Sequence, residues 1–190
     1  MSGLVATDLD GTLMSSRRTV SSTDLQTLHD LGAAGVTRVV ATGRSLYSAR
    51  LALPPDFPID YLVFSTGAGV MDWSTQKLLR HNALSQGELA CAVNAVESLG
   101  LDFMAHWEVP DNHRFVYRRG SSDARGDFEQ RLTRYREYAQ EWEAGAPAPE
   151  RVSQLVAIAH ATRAELYLLM IYRTCKSCAQ HHHLMDSRGG

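Results

Sequence analysis

Leu4-Val5-Ala6-Thr7-Asp8-Leu9-Asp10-Gly11-Thr12-Leu13 decides the reading of the fold. A short apolar run stops at two aspartates one residue apart, and Gly-Thr follows. The run reads as a buried strand, and the small and polar residues after it read as a tight loop. In an extended segment residues i and i+2 point the same way, so Asp8 and Asp10 converge on one site while Leu9 packs inward. Two close carboxylates repel each other. A bound divalent cation would relieve that repulsion and would also neutralise the charge of a phosphate. Gly11 lets the backbone turn and would present amide donors to an anion.

Outward from this stretch, Ser22 or Thr23 is placed to cap a helix whose Leu25, Leu28 and Leu31 fall at helical spacing, and Gly32 and Gly35 close it. Val36 to Ala41 is rich in β-branched residues and reads as a second strand. Thr42-Gly43-Arg44-Ser45 repeats the change from strand to polar loop, a helix runs through Ala49 and Leu51, and Tyr61-Leu62-Val63-Phe64 makes a third buried strand after the proline-rich turn from Pro54 to Pro58. Regular β-α-β alternation predicts a parallel sheet with helices on both faces, and ligands bind such a sheet at the C-terminal ends of its strands.

From Ser65 the texture changes. Gly67 to Trp73 and Lys77 to Leu79 read as a hairpin around Ser74-Thr75-Gln76 that leads out of the first domain. Ser85 caps a helix to about Leu99, Leu101 to His106 and Arg114 to Tyr117 read as strands, and the charged stretch from Asp127 to Glu143 reads as one exposed helix. Val152 to Ala159 is another strand, Thr162 to Glu165 starts a short helix, and Leu166 to Ile171 is an apolar run of either kind. This half mixes helices with strands expected to be antiparallel.

The 190 residues carry 19 Lys plus Arg against 21 Asp plus Glu, so no strong global field would draw the chain to nucleic acid. Apolar residues make up 44%, ample for a buried core and against a disordered chain. Only Lys77 and Lys176 are lysines, which leaves few candidates for any mechanism that needs one. Three cysteines, Cys91, Cys175 and Cys178, are an odd number behind a start with no secretory signal. Neither feature indicates a disulfide framework, and a reducing cytoplasm is the expectation. No apolar run approaches the roughly 18 residues that a membrane helix needs.

Asp8-Leu9-Asp10-Gly11-Thr12-Leu13 resembles the first motif of the haloacid dehalogenase-like (HAD) superfamily, and Thr42-Gly43-Arg44, at the end of the next strand, resembles its second. Ser65-Thr66-Gly67-Ala68 is similar to the Asn-Gly-Ala turn of the Cof-type phosphatases, the subclass with a class IIB α/β cap, with Thr66 in place of the Asn. The resemblance implies an α/β fold with a Rossmann-like parallel-sheet core over residues 1–80 and an inserted α/β cap over 81–172. The core would be incomplete at its C-terminal end, and residues 173–190 would form an irregular tail.

It also implies a phosphoric monoester hydrolase acting on a small phosphorylated metabolite, sugar-phosphate-like, through an aspartyl-phosphate. Asp8 would be the nucleophile, and Asp10 would protonate the leaving alcohol and later deprotonate the attacking water. Mg²⁺ would be held by Asp8 and by Asp10, the latter through its backbone carbonyl. The Thr42 hydroxyl and the amides around Leu9, Gly11 and Thr12 would hold the phosphoryl oxygens, and Gly43 would be a substrate-binding residue beside them. Arg44 would either reach the substrate or pair with a surface acid. His106, Trp107 or His113 in the cap would be the candidates for substrate specificity.

The third-motif lysine and the fourth-motif acidic loop of the family are not visible. Gly126-Asp127-Phe128-Glu129 lacks the second acid at the right spacing, and neither Lys77 nor Lys176 has the right surroundings. The expectation is a chain cut short inside the cap, with Cys175, Cys178 and His181 to His183 in a disordered or out-of-frame end rather than a zinc site. Two alternatives stay open beside the phosphatase. One is a non-catalytic remnant that binds phosphate or a partner protein through an exposed sheet edge. The other is a phosphomutase, in which a second sugar phosphate replaces water as acceptor. Exposed apolar surface at the incomplete core would favour a homodimer. No nucleic-acid or membrane partner is expected.

Overall fold

Three strands lie parallel in the order the sequence predicts: β1 (Leu4–Asp8), β2 (Thr37–Ala41) and β3 (Tyr61–Phe64). The hairpin β4 (Gly69–Asp72) and β5 (Lys77–His81) adds two antiparallel strands, so the sheet order follows the chain from β1 to β5. The structure, a computed structural model, describes residues 3–121 and 126–158. Two units result: residues up to Asn82 together with Val109–His113, and Ala83–Glu108 together with the residues from Arg114 onward.

In the first unit, α1 (Ser22–Ala33) and α2 (Leu46–Ala52) connect the parallel strands. The N-cap of α1 is Ser21, one residue before the expected candidates, because its hydroxyl accepts the Asp24 N–H at 3.0 Å. Leu9, Leu28, Val40, Leu62, Phe64, Met71 and Trp73 form the buried cluster. The Trp73 indole N–H is satisfied by the Pro54 carbonyl at 3.2 Å. Arg38 on β2 grips Asp60 just before β3: its N–H and Nε–H donate to Oδ2 at 2.7 and 3.0 Å, and Nη2–H donates to Oδ1 at 2.7 Å. This fork fixes β2 against β3.

One expectation fails at β1. The apolar run predicts a buried strand, yet Leu4 is 65% and Val5 39% exposed. Among the described residues β1 pairs with β2 alone, at the end of the sheet. The run has the composition of a central strand, and among the described residues β2 is its one neighbour in the sheet.

The second unit is a four-stranded sheet in the order β8 (Ala139–Glu141), β7 (Phe115–Arg118), β6 (Asp102–Trp107), β9 (Val152–Ile158), with α3 (Gln86–Ser98) and α4 (Gly126–Arg134). β6 is antiparallel to β7 and β9 as expected, whereas β8 joins β7 in parallel. α3 begins at Ser85 with a full capping box to Glu88.

The single charged helix expected from Asp127 to Glu143 is instead α4, a 3₁₀ turn at Arg136–Tyr138 and then β8. The reason is where the large side chains go. Phe128 and Leu132 of α4 pack with Met104 and Phe115, whereas Trp142 packs with Phe103, Ala105 and Val116. Alternate residues of a strand face opposite sides of its sheet, so the chain must leave the helix and run extended beside β7 to bring Trp142 to the other side.

Cys91 lies on α3. Cys175, Cys178 and His181 to His183 lie outside the described residues, as do the expected elements at 162–171 and the tail at 173–190. Among the described residues no helix is long and apolar enough to cross a membrane.

Candidate functional site

The register of the parallel sheet sets the site. Asp8 is the Cα partner of Ala41, so Asp8 and Thr42 stand at the same C-terminal edge of neighbouring strands, where an α/β sheet binds ligands. After Asp8 the chain folds back on itself. Leu13 N–H donates to the Asp8 carbonyl at 3.3 Å, Met14 N–H to Leu9 at 2.7 Å and Gly11 N–H to Met14 at 2.8 Å. Leu9, Leu13 and Met14 are buried and anchor the loop, which leaves Asp8, Asp10 and Thr12 exposed.

Gly11 has φ +77°, the left-handed conformation that its lack of a Cβ allows. Its amide is engaged by the Met14 carbonyl, so the turn closes the loop rather than offering that donor to an anion. The side chain of Leu9 goes to the core, and its carbonyl is taken by Met14.

The second loop starts at Thr42, 6% exposed. Its hydroxyl oxygen accepts the Arg44 N–H at 3.2 Å. A hydroxyl that accepts one bond keeps its own proton to donate, which is what a phosphoryl oxygen would need. Gly43 is exposed beside it.

Of the two roles left open by the sequence, the structure shows Arg44 paired with an acid, and the acid is Asp10. Nε–H donates to Asp10 Oδ2 at 2.8 Å, Nη2–H to Oδ1 at 2.5 Å, and Nη1–H reaches the Ser48 carbonyl at 3.4 Å. Both carboxylate oxygens of Asp10 are therefore held by one planar fork. The hydrogen bonds from Arg44 hold the Asp10 carboxyl below its usual range against a smaller opposing effect of burial, with the positive charges of Arg44 and Arg18 adding to the same side. In this arrangement Asp10 is a carboxylate.

Two residues beyond the predicted set join the same region. Ser65 follows β3, and its N–H donates to the Arg44 carbonyl at 2.8 Å. Asn112, 1% exposed, donates from Nδ2 to the Ser65 hydroxyl at 2.7 Å. The turn similarity that flagged Ser65 to Ala68 pointed to the first, but no spacing or periodicity singles out Asn112. Of the three specificity candidates, His113 stacks on Tyr47 of α2 at 4.7 Å within the first unit. His106 instead lies on Phe115 at 5.0 Å, and Trp107 is 41% exposed.

The fit to Mg²⁺ is partial. A magnesium ion demands an octahedron of hard oxygen donors, and Asp8 with the Asp10 carbonyl would supply two of them. Among the described residues no group of three or more His, Cys, Asp or Glu is placed to hold a metal ion, and the Asp10 carboxylate is occupied by Arg44. The remaining ligands would have to be water, phosphate oxygens or groups outside the described residues.

A sequence profile of the haloacid dehalogenase-like hydrolases matches residues 5–161. No curated protein sequence matches the chain. Among solved structures it is similar to a haloacid dehalogenase-like hydrolase from Bacteroides thetaiotaomicron, with a TM-score of 0.58 and 18% identity over 88% of this chain and 62% of that one. It is similar to another from B. subtilis, with a TM-score of 0.60 and 17% identity over 86% and 64%. A third is a HAD subclass IIB sugar phosphatase, with a TM-score of 0.60 and 16% identity over 89% and 63%. At these identities the likeness is one of fold, and the chain spans a little over three fifths of the length of these structures.

Proposed function

The chain belongs to the haloacid dehalogenase-like hydrolase family, and from that premise we propose that it hydrolyses the phosphate monoester of a small, sugar-like metabolite through an aspartyl-phosphate on Asp8. The observation that carries this reading is the meeting of Asp8, Asp10, Thr42 and Arg44 on two loops at the C-terminal edge of β1 and β2. A neighbour of the same fold is named a sugar phosphatase, which supports the substrate class.

In this reading a carboxylate oxygen of Asp8 attacks phosphorus, the P–O bond to the leaving alcohol breaks, and the alcohol oxygen takes a proton from Asp10. Water then attacks phosphorus, gives its proton to Asp10, and frees phosphate and Asp8. The Thr42 hydroxyl donates to a phosphoryl oxygen throughout. Asp8 and the Asp10 carbonyl would hold Mg²⁺, whose charge would offset that of the phosphate when bound. Because Arg44 occupies both oxygens of Asp10, it must release one before Asp10 can carry the proton. We place the protein in the cytoplasm, with the phosphorylated metabolite as its partner.

Hydrolysis of p-nitrophenyl phosphate by the 190-residue chain, with and without Mg²⁺ and beside Asp8→Asn, tests the proposal. Metal-dependent turnover that Asp8→Asn lowers by about 10³-fold or more is expected for loss of a covalent nucleophile. Turnover unchanged in the variant, or none from the folded parent, refutes it.

A second reading has one observation in its favour. Among the described residues β1 ends its sheet and carries exposed Leu4 and Val5, which suits a non-catalytic remnant that adds a strand from a partner or from a second copy of itself. Asp8→Asn separates the two, because a strand-pairing module would keep its affinity.

A further inference from the structure

The segment Val109–His113 lies between β6 and β7 in the chain but belongs to the first unit. Three side chains fix it there. Val109, 6% exposed, joins the buried cluster of Leu9, Val40 and Phe64. His113 stacks on Tyr47, in the first turn of α2, with ring planes 26° apart. Asn112 donates to the Ser65 hydroxyl.

That last bond reaches the backbone of the candidate site. The Ser65 hydroxyl accepts from Asn112 at 2.7 Å and donates its own proton to the Arg44 carbonyl at 3.4 Å, beside the Ser65 N–H bond to the same carbonyl. One hydroxyl has the donor and acceptor capacity for both. The next residue, Thr66, donates its N–H to the Thr42 carbonyl at 3.2 Å. Ser65 and Thr66 have φ of +48° and +54°. Two consecutive non-glycine residues in the left-handed region persist only where their surroundings hold them.

We propose that Asn112 is a positioning residue of the site: it clamps the Ser65–Gly67 turn, and through that turn it sets the backbone from Thr42 to Arg44 and the aim of the Arg44 fork. Arg44 touches the chemistry and Asn112 acts through it. The inference rests on the proposed phosphatase reading for what the aim is for, but the clamp itself is a matter of structure.

Two measurements on the whole chain test it. The first is the Arg44 Nε–H resonance in ¹⁵N-labelled protein, assigned as the signal that Arg44→Lys removes. The second is the affinity for inorganic phosphate by calorimetry. Both are made on the parent, Asn112→Ala, Ser65→Ala and the double variant. Ser65→Ala removes one oxygen and keeps a fold readout should Asn112→Ala fold poorly.

The expected result is an Arg44 signal that shifts or broadens in both single variants. Phosphate affinity falls about tenfold in each, the effect of one lost buried hydrogen bond, with no further loss in the double variant because the two residues act in series. An unmoved Arg44 signal in both single variants overturns the proposal, and so do losses that add. If the parent itself binds no phosphate, the functional reading falls, and the Arg44 signal alone decides the clamp: moved supports it, unmoved overturns it.

Discussion

Gly69 faces Phe64 across the hairpin of β3 and β4, and the aromatic ring lies over it. A methyl group at position 69 would sit 2.0 Å from Phe64 Cζ and 2.5 and 2.7 Å from the two ε carbons. In Gly69→Ala the ring must therefore retreat by about 1.5 Å to regain ordinary carbon contact. Phe64 is fully buried in the cluster of Leu62, Met71 and Trp73. In a close-packed interior a retreat of that size pushes neighbours off their preferred rotamers. Overpacking of this order costs about 2–3 kcal/mol, a fall in melting temperature of about 5–10 °C for a chain of this size. Trp73, buried in the same cluster, makes its fluorescence the readout for denaturant and thermal unfolding of this unit when Trp107 and Trp142 of the second unit are replaced by Phe in every protein compared. Phe64→Leu removes the ε and ζ carbons, so Gly69→Ala in that background is expected to cost less than about 1 kcal/mol. A Gly69→Ala protein within about 0.5 kcal/mol of the parent, the range of a neutral substitution, refutes the reasoning. So does an equal cost in the Phe64→Leu background.

Two other predictions concern stability, beside the Asp8→Asn and Asn112 tests above. Hydrogen bonds from the Arg38 side chain hold the Asp60 carboxyl below its usual range, with burial opposing them and the Arg38 amide and charge assisting. The stability this adds is fully present above the unfolded carboxylate pKa of about 3.9 and is lost as pH falls through the lower folded value. With Asp60 35% exposed the pair is worth about 1 kcal/mol after screening. Asp60→Asn should thus lower the denaturation midpoint at pH 7 and converge with the parent in acid, and a constant gap down to the lowest pH would sink this account. Thr66→Asn should raise stability by about 0.5–1 kcal/mol, because Asn tolerates the left-handed conformation that Thr66 adopts at φ +54°. A lower melting temperature in Thr66→Asn would show that contacts of the threonine side chain outweigh its backbone strain.

The parts of the fold that the sequence exposed are those written in local chemistry. Asp8 to Thr12, Thr42 to Ser45 and the Ser65 turn each break an apolar run with small or polar residues. The register of β1 and β2 then brings the first two loops together without any further signal. Burial was less legible. Leu4 and Val5 have the composition of a central strand, but exposure depends on what lies beside the strand, and that is not encoded in the run itself. The break at Arg134 was hidden because charge favours a solvated helix up to Glu143, whereas the destination of Trp142 on the opposite face of the sheet from Phe128 is a tertiary fact. Asn112 was invisible for the same reason: its partner Ser65 lies 47 residues away.

Arg44 shows what pairing does to a residue that the sequence could read in two ways. On the proposed reading Asp10 must hold a proton, yet the Arg44 fork favours its ionised form. The same fork is the natural partner of a phosphate dianion, whose oxygens match its geometry as a carboxylate's do. On the proposed reading a phosphate entering between the loops of β1 and β2 would compete with Asp10 for one guanidinium. The Asp10 side chain is 54% exposed and that of Arg44 19%, so water can take over the Asp10 end of the pair as Arg44 leaves it. A fork that swings from acid to phosphate would free Asp10 to take up its proton at the moment substrate is bound. On the proposed reading the resting pair and the working site would be two positions of the same side chain, and the bonds from the Ser65 N–H and hydroxyl to the Arg44 carbonyl would keep its backbone fixed while it changed partner.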